Sequence, residues 1–148
     1  MSEEILKALM QLFAIIAKQD GGVRENEVAY VDRFLKEQLN DEAVVEYMRL
    51  FKEHADLTEA AMEKQRKREE KGKKRKLTSV KDSVRILGIC KKINKQLNQG
   101  QKVVVLVRLF ELINADRKFT EQRMAIINTV ADVFNIAQEE FSSIEKFV

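Results

Sequence analysis

The 148-residue sequence has no proline, no tryptophan, only five glycines, one cysteine and one histidine. Each shortage removes a class of protein. A single cysteine cannot close an internal disulfide, which excludes a secreted disulfide scaffold. One cysteine and one histidine cannot build a thiolate or imidazole zinc site. Without proline, and with few glycines, the chain lacks the turn residues an all-β fold uses at its many reversals. The longest uninterrupted aliphatic run is five residues, Val103 to Val107, against the roughly 20 apolar residues of a spanning helix. Met1-Ser2-Glu3-Glu4 is acidic, whereas a signal peptide opens on positive charge. These absences lead to the expectation of a cytoplasmic, all-α protein, and the length suits one domain over residues 1–148.

What is present is helical periodicity. Ile5, Leu6, Leu9, Met10, Leu12, Phe13 and Ile16 share a broad helical face, and Ser2 is a good N-cap for it. Gly21-Gly22 stops this helix. A second helix from about Arg24 to Leu39 carries Val28, Val31, Phe34 and Leu35, and Asn40-Asp41 signals a turn and cap before a third with Val44, Tyr47, Met48 and Phe51. Thr78 or Ser79 can cap a helix whose apolar face is Val80, Val84, Leu87, Cys90, Ile93 and Leu97, closed by Asn98-Gln99-Gly100. The segment from Val103 to Ile113 is apolar nearly all round and is expected to be the central, most buried helix. Thr120 caps a helix with Met124, Ile127, Val130, Val133 and Phe134, and a last one offers Phe141, Ile144 and Phe147. The expectation is a compact bundle of seven to eight helices.

Charge is uneven. Between Glu63 and Lys76 nine basic residues (Lys64, Arg66, Lys67, Arg68, Lys71, Lys73, Lys74, Arg75 and Lys76) face three acidic ones, a local +6 that leaves −3 for the rest of this +3 chain. Residues 65–76 contain no apolar side chain, so residues 63–77 read as a basic, partly disordered insert in an otherwise mildly acidic body. Clustered lysine and arginine attract phosphates and anionic lipid head groups. No aromatic residue lies between Phe51 and Phe110, which leaves no base-stacking platform and makes nucleic acid the weaker partner beside a peripheral anionic membrane. The plainer reading of the run is a solvated linker.

Two stretches align when read for chemistry. Leu12-Phe13-Ala14-Ile15-Ile16-Ala17-Lys18-Gln19-Asp20-Gly21-Gly22-Val23-Arg24-Glu25 matches Leu109-Phe110-Glu111-Leu112-Ile113-Asn114-Ala115-Asp116-Arg117-Lys118-Phe119-Thr120-Glu121 with a single one-residue gap. Asp20, Val23, Glu25 and Val28 thereby correspond to Asp116, Phe119, Glu121 and Met124. Val23 and Phe119 are expected to plug their loops into the core. Glu25 and Glu121 fall in a first helical turn, where negative charge meets the positive end of the helix dipole, and Asp20 and Asp116 can accept hydrogen bonds from unpartnered loop N–H groups. Two such helix-loop-helix units would pack as a pseudo-two-fold bundle.

Ala17-Lys18-Gln19-Asp20-Gly21-Gly22-Val23-Arg24-Glu25-Asn26-Glu27 resembles the signature loop of the TerB-like tellurite-resistance family, and Asn114 to Glu121 resembles that family's second, matching loop. The likeness covers roughly Ile5 to Leu39 and Val103 to Phe134. It implies an all-helical bundle with internal pseudo-symmetry, a cytoplasmic setting linked to stress response and the inner membrane face, and modules fused to other domains, ATP-binding ones among them. It also implies a divalent cation held by acidic loop residues, here Asp20, Glu25, Glu27, Asp116 and Glu121. Arg117-Lys118 stands where the family pattern has glycine and a small or acidic residue, and two cations there oppose a divalent ion. Capping and helix-dipole compensation are the plainer role for these carboxylates.

No catalytic set is expected. His54, one turn after Phe51, suits a helix C-terminus and lacks a nucleophile beside it, and Cys90 lies on an apolar face as a small hydrophobe. The apolar ending Ile144-Glu145-Lys146-Phe147-Val148 suggests the N-terminal module of a longer polypeptide. The leading reading is a non-catalytic, TerB-like interaction or regulatory module that docks a protein partner or a covalently attached domain.

Overall fold

Polar residues punctuate the helices. The Ile5 N–H donates to Ser2 Oγ at 3.3 Å, the Ala43 N–H to Asn40 Oδ1 at 2.9 Å and the Arg123 N–H to Thr120 Oγ1 at 3.3 Å, so three expected caps satisfy first-turn donors that a helix leaves without partners. The computed structural model describes residues 2–19, 23–55, 57, 63, 67, 80–117 and 119–147. Among them are seven helices and no strand: α1 (Glu3–Ala17), α2 (Glu25–Lys36), α3 (Asp41–His54), α4 (Val80–Asn94), α5 (Gln99–Asp116), α6 (Glu121–Val133) and α7 (Gln138–Phe147). None is long and apolar enough to cross a membrane. Asn98 does not close the preceding helix, which stops at Asn94; it opens α5 through a reciprocal box with Gln101, both bonds at 2.9 Å. Asparagine followed three residues later by glutamine is a helix-start signal. Gly21-Gly22, Thr78 and Ser79 lie outside the described residues.

The central helix is α1, not α5. From Leu9 to Ala17 every residue of α1 except Gln11 is buried, because α1 packs against α3, α4 and α5 together. Phe13 sits edge-on to Tyr30 and Phe34 of α2, with ring centroids 6.0 and 5.6 Å apart, a favoured aromatic geometry. Helix α5 buries Val105, Leu106, Leu109, Phe110, Leu112 and Ile113, but it packs mainly on α1, α2 and α6, and Val104 stays exposed.

Two other apolar faces are turned from their expected positions. In and after α4 the buried set is Ile86, Cys90, Ile93 and Leu97, while Val84 is 62% exposed and Leu87 is also exposed. The residues one place along the chain lie 100° around the helix, and packing on α1 and α6 selects the Ile86 row. Phe141 and Ile144 anchor α7, whereas Phe147, six residues beyond Phe141 and so on another side of the helix, is 95% exposed.

Candidate functional site

The sequence repeat becomes two helix-loop-helix units, α1–α2 and α5–α6, and the candidate site is where they meet. Glu25 and Glu121 are the first residues of α2 and α6, both exposed at a helix N-terminus. Val23 packs against the core, while Phe119, expected to do the same, is 45% exposed. The buried side chain contributed near the second loop is Arg123 instead. Asp20 and Lys118 lie outside the described residues.

Glu27 and Arg123 are fully buried and face each other. Arg123 Nη2 stands 3.1 Å from both Glu27 oxygens and also donates to the Ala17 carbonyl at 3.3 Å. Glu27 Oε1 further accepts the Arg24 N–H at 3.2 Å, covering the start of α2. One guanidinium thus ties the end of α1, the first turn of α2 and the first turn of α6. A second tie runs the other way: Arg24 Nε lies 3.0 Å from Asp116 Oδ2 at the end of α5. Burial pushes the Glu27 carboxyl above its ordinary value, with Arg123 and the Arg24 N–H pulling it down and Asp116 adding to the rise.

This arrangement bears on the four described members of the divalent-cation set, Asp20 lying outside the described residues. A hard cation needs six or more oxygen ligands, several of them carboxylates. Glu27 is already neutralised by an internal guanidinium, and Asp116 is engaged by Arg24. The buried atoms left over on Arg123 are Nε and Nη1, which have no hydrogen-bond partner among the described residues. Those two are donors, which repel a cation, while Glu27 Oε2 and Asp116 Oδ2, also without a hydrogen-bond partner, each lie within ion-pair distance of a guanidinium nitrogen, at 3.1 and 3.0 Å. Among the described residues no three aspartate, glutamate, histidine or cysteine side chains gather, so Glu25, Glu27, Asp116 and Glu121 do not by themselves form a metal centre. Arg117 ends α5 in the left-handed region at φ 52°, ψ 31°, a conformation that glycine adopts without steric cost.

Other titratable groups are also held in structural roles. The Tyr30 hydroxyl donates to Glu111 Oε2 at 2.7 Å and lies 3.3 Å from the Arg108 carbonyl, linking α2 to α5. Burial and Glu111 raise its pKa. Burial pushes the Cys90 thiol up to about 12, which suits a core hydrophobe rather than a nucleophile. His54 ends α3 as expected, with Arg85 Nη2 at 3.5 Å from its Nδ1. Of the basic run only Glu63 and Lys67 are described, an exposed helical pair 4.0 Å apart. Lys64, Arg66, Arg68, Lys71, Lys73, Lys74, Arg75 and Lys76 lie outside the described residues.

The sequence reading missed Arg24 and Arg123, although a signal was present. Glu27 and Arg123 stand two residues after Glu25 and Glu121, so they occupy equivalent positions of the repeat, with opposite charge. It also missed a groove of about 990 Å³ between α2 and α3. Val23, Val28, Val44, Met48 and Leu57 line it, and Val45 on its edge is 70% exposed.

A family model described as tellurite resistance protein TerB matches residues 6–146, a longer span than the two loops and their flanking helices that carry the likeness in sequence. No curated protein and no solved structure matches the chain. With the paired helix-loop-helix units inside an all-helical bundle and that match running almost end to end, the chain belongs to the TerB family.

Proposed function

We propose that this TerB-family chain is a non-catalytic, cytoplasmic interaction module that docks a protein partner or an attached domain, in keeping with the tellurite-resistance description of its family. The observation that carries this reading is the α2–α3 groove. Among the described residues nothing covers its apolar lining, and Val45 in it is 70% exposed, whereas the other exposed apolar side chains, such as Val84 and Phe147, lie outside it. Rimmed apolar concavities of this kind mark docking sites. The buried ionisable groups support the non-catalytic part. Glu27 is bound to Arg123, Tyr30 to Glu111, and the Cys90 thiol is held in its protonated form.

Two measurements together test the proposal. A photo-crosslinking residue placed at Val45, Val84 or Phe147 in cells should trap a discrete protein partner from at least one position. In parallel, a thermal-shift titration with Ca²⁺, Mg²⁺, Mn²⁺ and Zn²⁺, beside an EDTA control, should be flat. A bound ion at 100 times its dissociation constant would add about 2.7 kcal/mol, or roughly 5–11 °C for a domain of this size. A saturable shift of that order with no crosslinked partner would overturn the proposal in favour of metal binding.

A further inference from the structure

We infer that the α2–α3 groove takes an amphipathic helix of a partner protein whose apolar face is flanked on one side by acidic residues. This rests on the interaction-module reading and names the chemistry of its partner. The floor supplies the apolar half of the recognition. Val28 and Val44 come from facing helices, and Val45 and Met48 lie one turn apart along α3, the spacing at which a helix laid in a groove presents its own i, i+3 and i+4 anchors.

The rim supplies the charge. Of the charged residues lining the groove, Arg24 is engaged by Asp116 and Asp32 by Lys36, at 3.0 and 2.8 Å. Arg49 and Lys52 have no ion-pair partner among the described residues. They sit at i and i+3 on α3, one turn apart on the same edge of the groove, so the α3 side carries two positive charges with no ion-pair partner among the described residues. Glu25, at the start of α2 on the opposite side, is the groove acid with no ion-pair partner among the described residues. A helix with carboxylates three or four residues apart on the flank facing α3 would satisfy Arg49 and Lys52 while its apolar face covers Val45. A helix with basic residues there would face repulsion at both positions. Charge of this kind sets partner choice and register more than bulk affinity.

The test uses the full chain and three labelled synthetic peptides of about five helical turns, followed by fluorescence anisotropy. One carries leucines at i, i+3, i+4 and i+7 with glutamates on one flank. The second replaces those glutamates by lysines. The third keeps the glutamates but scrambles the leucines. The acidic amphipathic peptide should bind about tenfold tighter than its lysine twin, as expected for two exposed pairs gained rather than opposed, and the scrambled peptide should not bind. Val45→Glu, at an exposed position where folding is not at stake, should abolish binding. Arg49→Glu with Lys52→Glu should invert the peptide preference, and Lys91→Glu with Lys92→Glu on α4, an equal loss of charge elsewhere, should change nothing. Equal binding of the two charged peptides, binding that survives Val45→Glu, or no binding at all would overturn the inference. A partner trapped at Val84 or Phe147 while this groove binds no peptide would leave the interaction-module reading standing and remove only its location and chemistry. Self-association of the chain abolished by Val45→Glu, without peptide binding, would assign the groove to a second copy and likewise overturn the acidic-helix inference.

Discussion

Replacing Arg123 by methionine keeps most of the side-chain volume and removes its charge. Glu27 would then be a fully buried carboxylate without its counter-ion, and the Ala17 carbonyl would lose a donor. Breaking a buried ion pair from one side costs about 3–5 kcal/mol. For a domain of this size that lowers the melting temperature by roughly 6–20 °C. The companion change Glu27→Met leaves a buried guanidinium and should cost a similar amount. The double variant removes both charges, so desolvation no longer opposes folding, and buried pairs exchanged for apolar residues are often neutral. Its remaining losses are the Arg24 N–H cap and the Ala17 bond, of which the cap is worth about 0.5–2 kcal/mol. The double variant should therefore be no less stable than the worse single one. Urea unfolding of all four proteins at pH 8 measures this as a double-mutant cycle. Additivity within about 0.5 kcal/mol, or a cost below about 1 kcal/mol for Arg123→Met, would show that the two residues do not act as the brace described above.

Four further outcomes follow from single contacts. The raised pKa of Glu27 means that the native state holds its proton above the ordinary carboxylate range near pH 4.3. The contribution of this group to stability therefore falls as pH rises from that value through the raised one and is flat above it; subtracting urea stabilities of Glu27→Gln from those of the wild type between pH 4 and 7 should reveal that fall, and a difference that grows with pH would contradict it. Tyr30→Phe leaves the ring packed on Phe13 but removes the bond to Glu111, and should cost about 1–2 kcal/mol in the same assay. Arg117→Gly relieves a left-handed residue and should raise stability by roughly 0.5–1 kcal/mol, the left-handed penalty less the entropy of glycine; a loss would mean that the Arg117 side chain contributes more than its backbone costs. Cys90, buried and with its thiol pushed up to about 12, should react with a disulfide reagent at pH 8 only as fast as the protein unfolds, and a rapid native-state reaction would place the thiol at the surface.

The parts of this fold legible in the sequence are those governed by local chemistry. Ser2, Asn40 and Thr120 are capping side chains wherever a helix follows, and the repeated loop shows itself because Glu25 and Glu121 open their helices at matched spacing. The errors arise where neighbours decide. In α4 two apolar rows lie one residue apart, Val84 with Leu87 and Ile86 with Ile93, and only docking on α1 and α6 chooses between them. Val44 and Val45 are chemically identical and both line the groove, yet one is buried at its floor and the other is 70% exposed, because neighbours one place along a helix point 100° apart. Arg123 reads as a surface residue of an amphipathic helix, since arginine is almost never fully buried unless paired. Its partner is remote in sequence, and only comparison of equivalent positions in the repeat, Glu27 with Arg123, exposes it. The carboxylates gathered by the family likeness were legible as a set, but what Glu27 and Asp116 touch was not, because the partner of each, Arg123 or Arg24, comes from the other half of the repeat.

The Glu27–Arg123 contact joins two equivalent positions of a duplicated unit. Where two copies of one motif meet so that a residue touches its own counterpart, identical copies would place like against like: two buried carboxylates, or two buried guanidiniums, with nothing to neutralise either. The opposite charges therefore make the halves of this chain obligate complements. Neither α1–α2 nor α5–α6 could assemble with a duplicate of itself in this arrangement, and the same contact that holds the folded chain together denies each half the option of pairing with its twin.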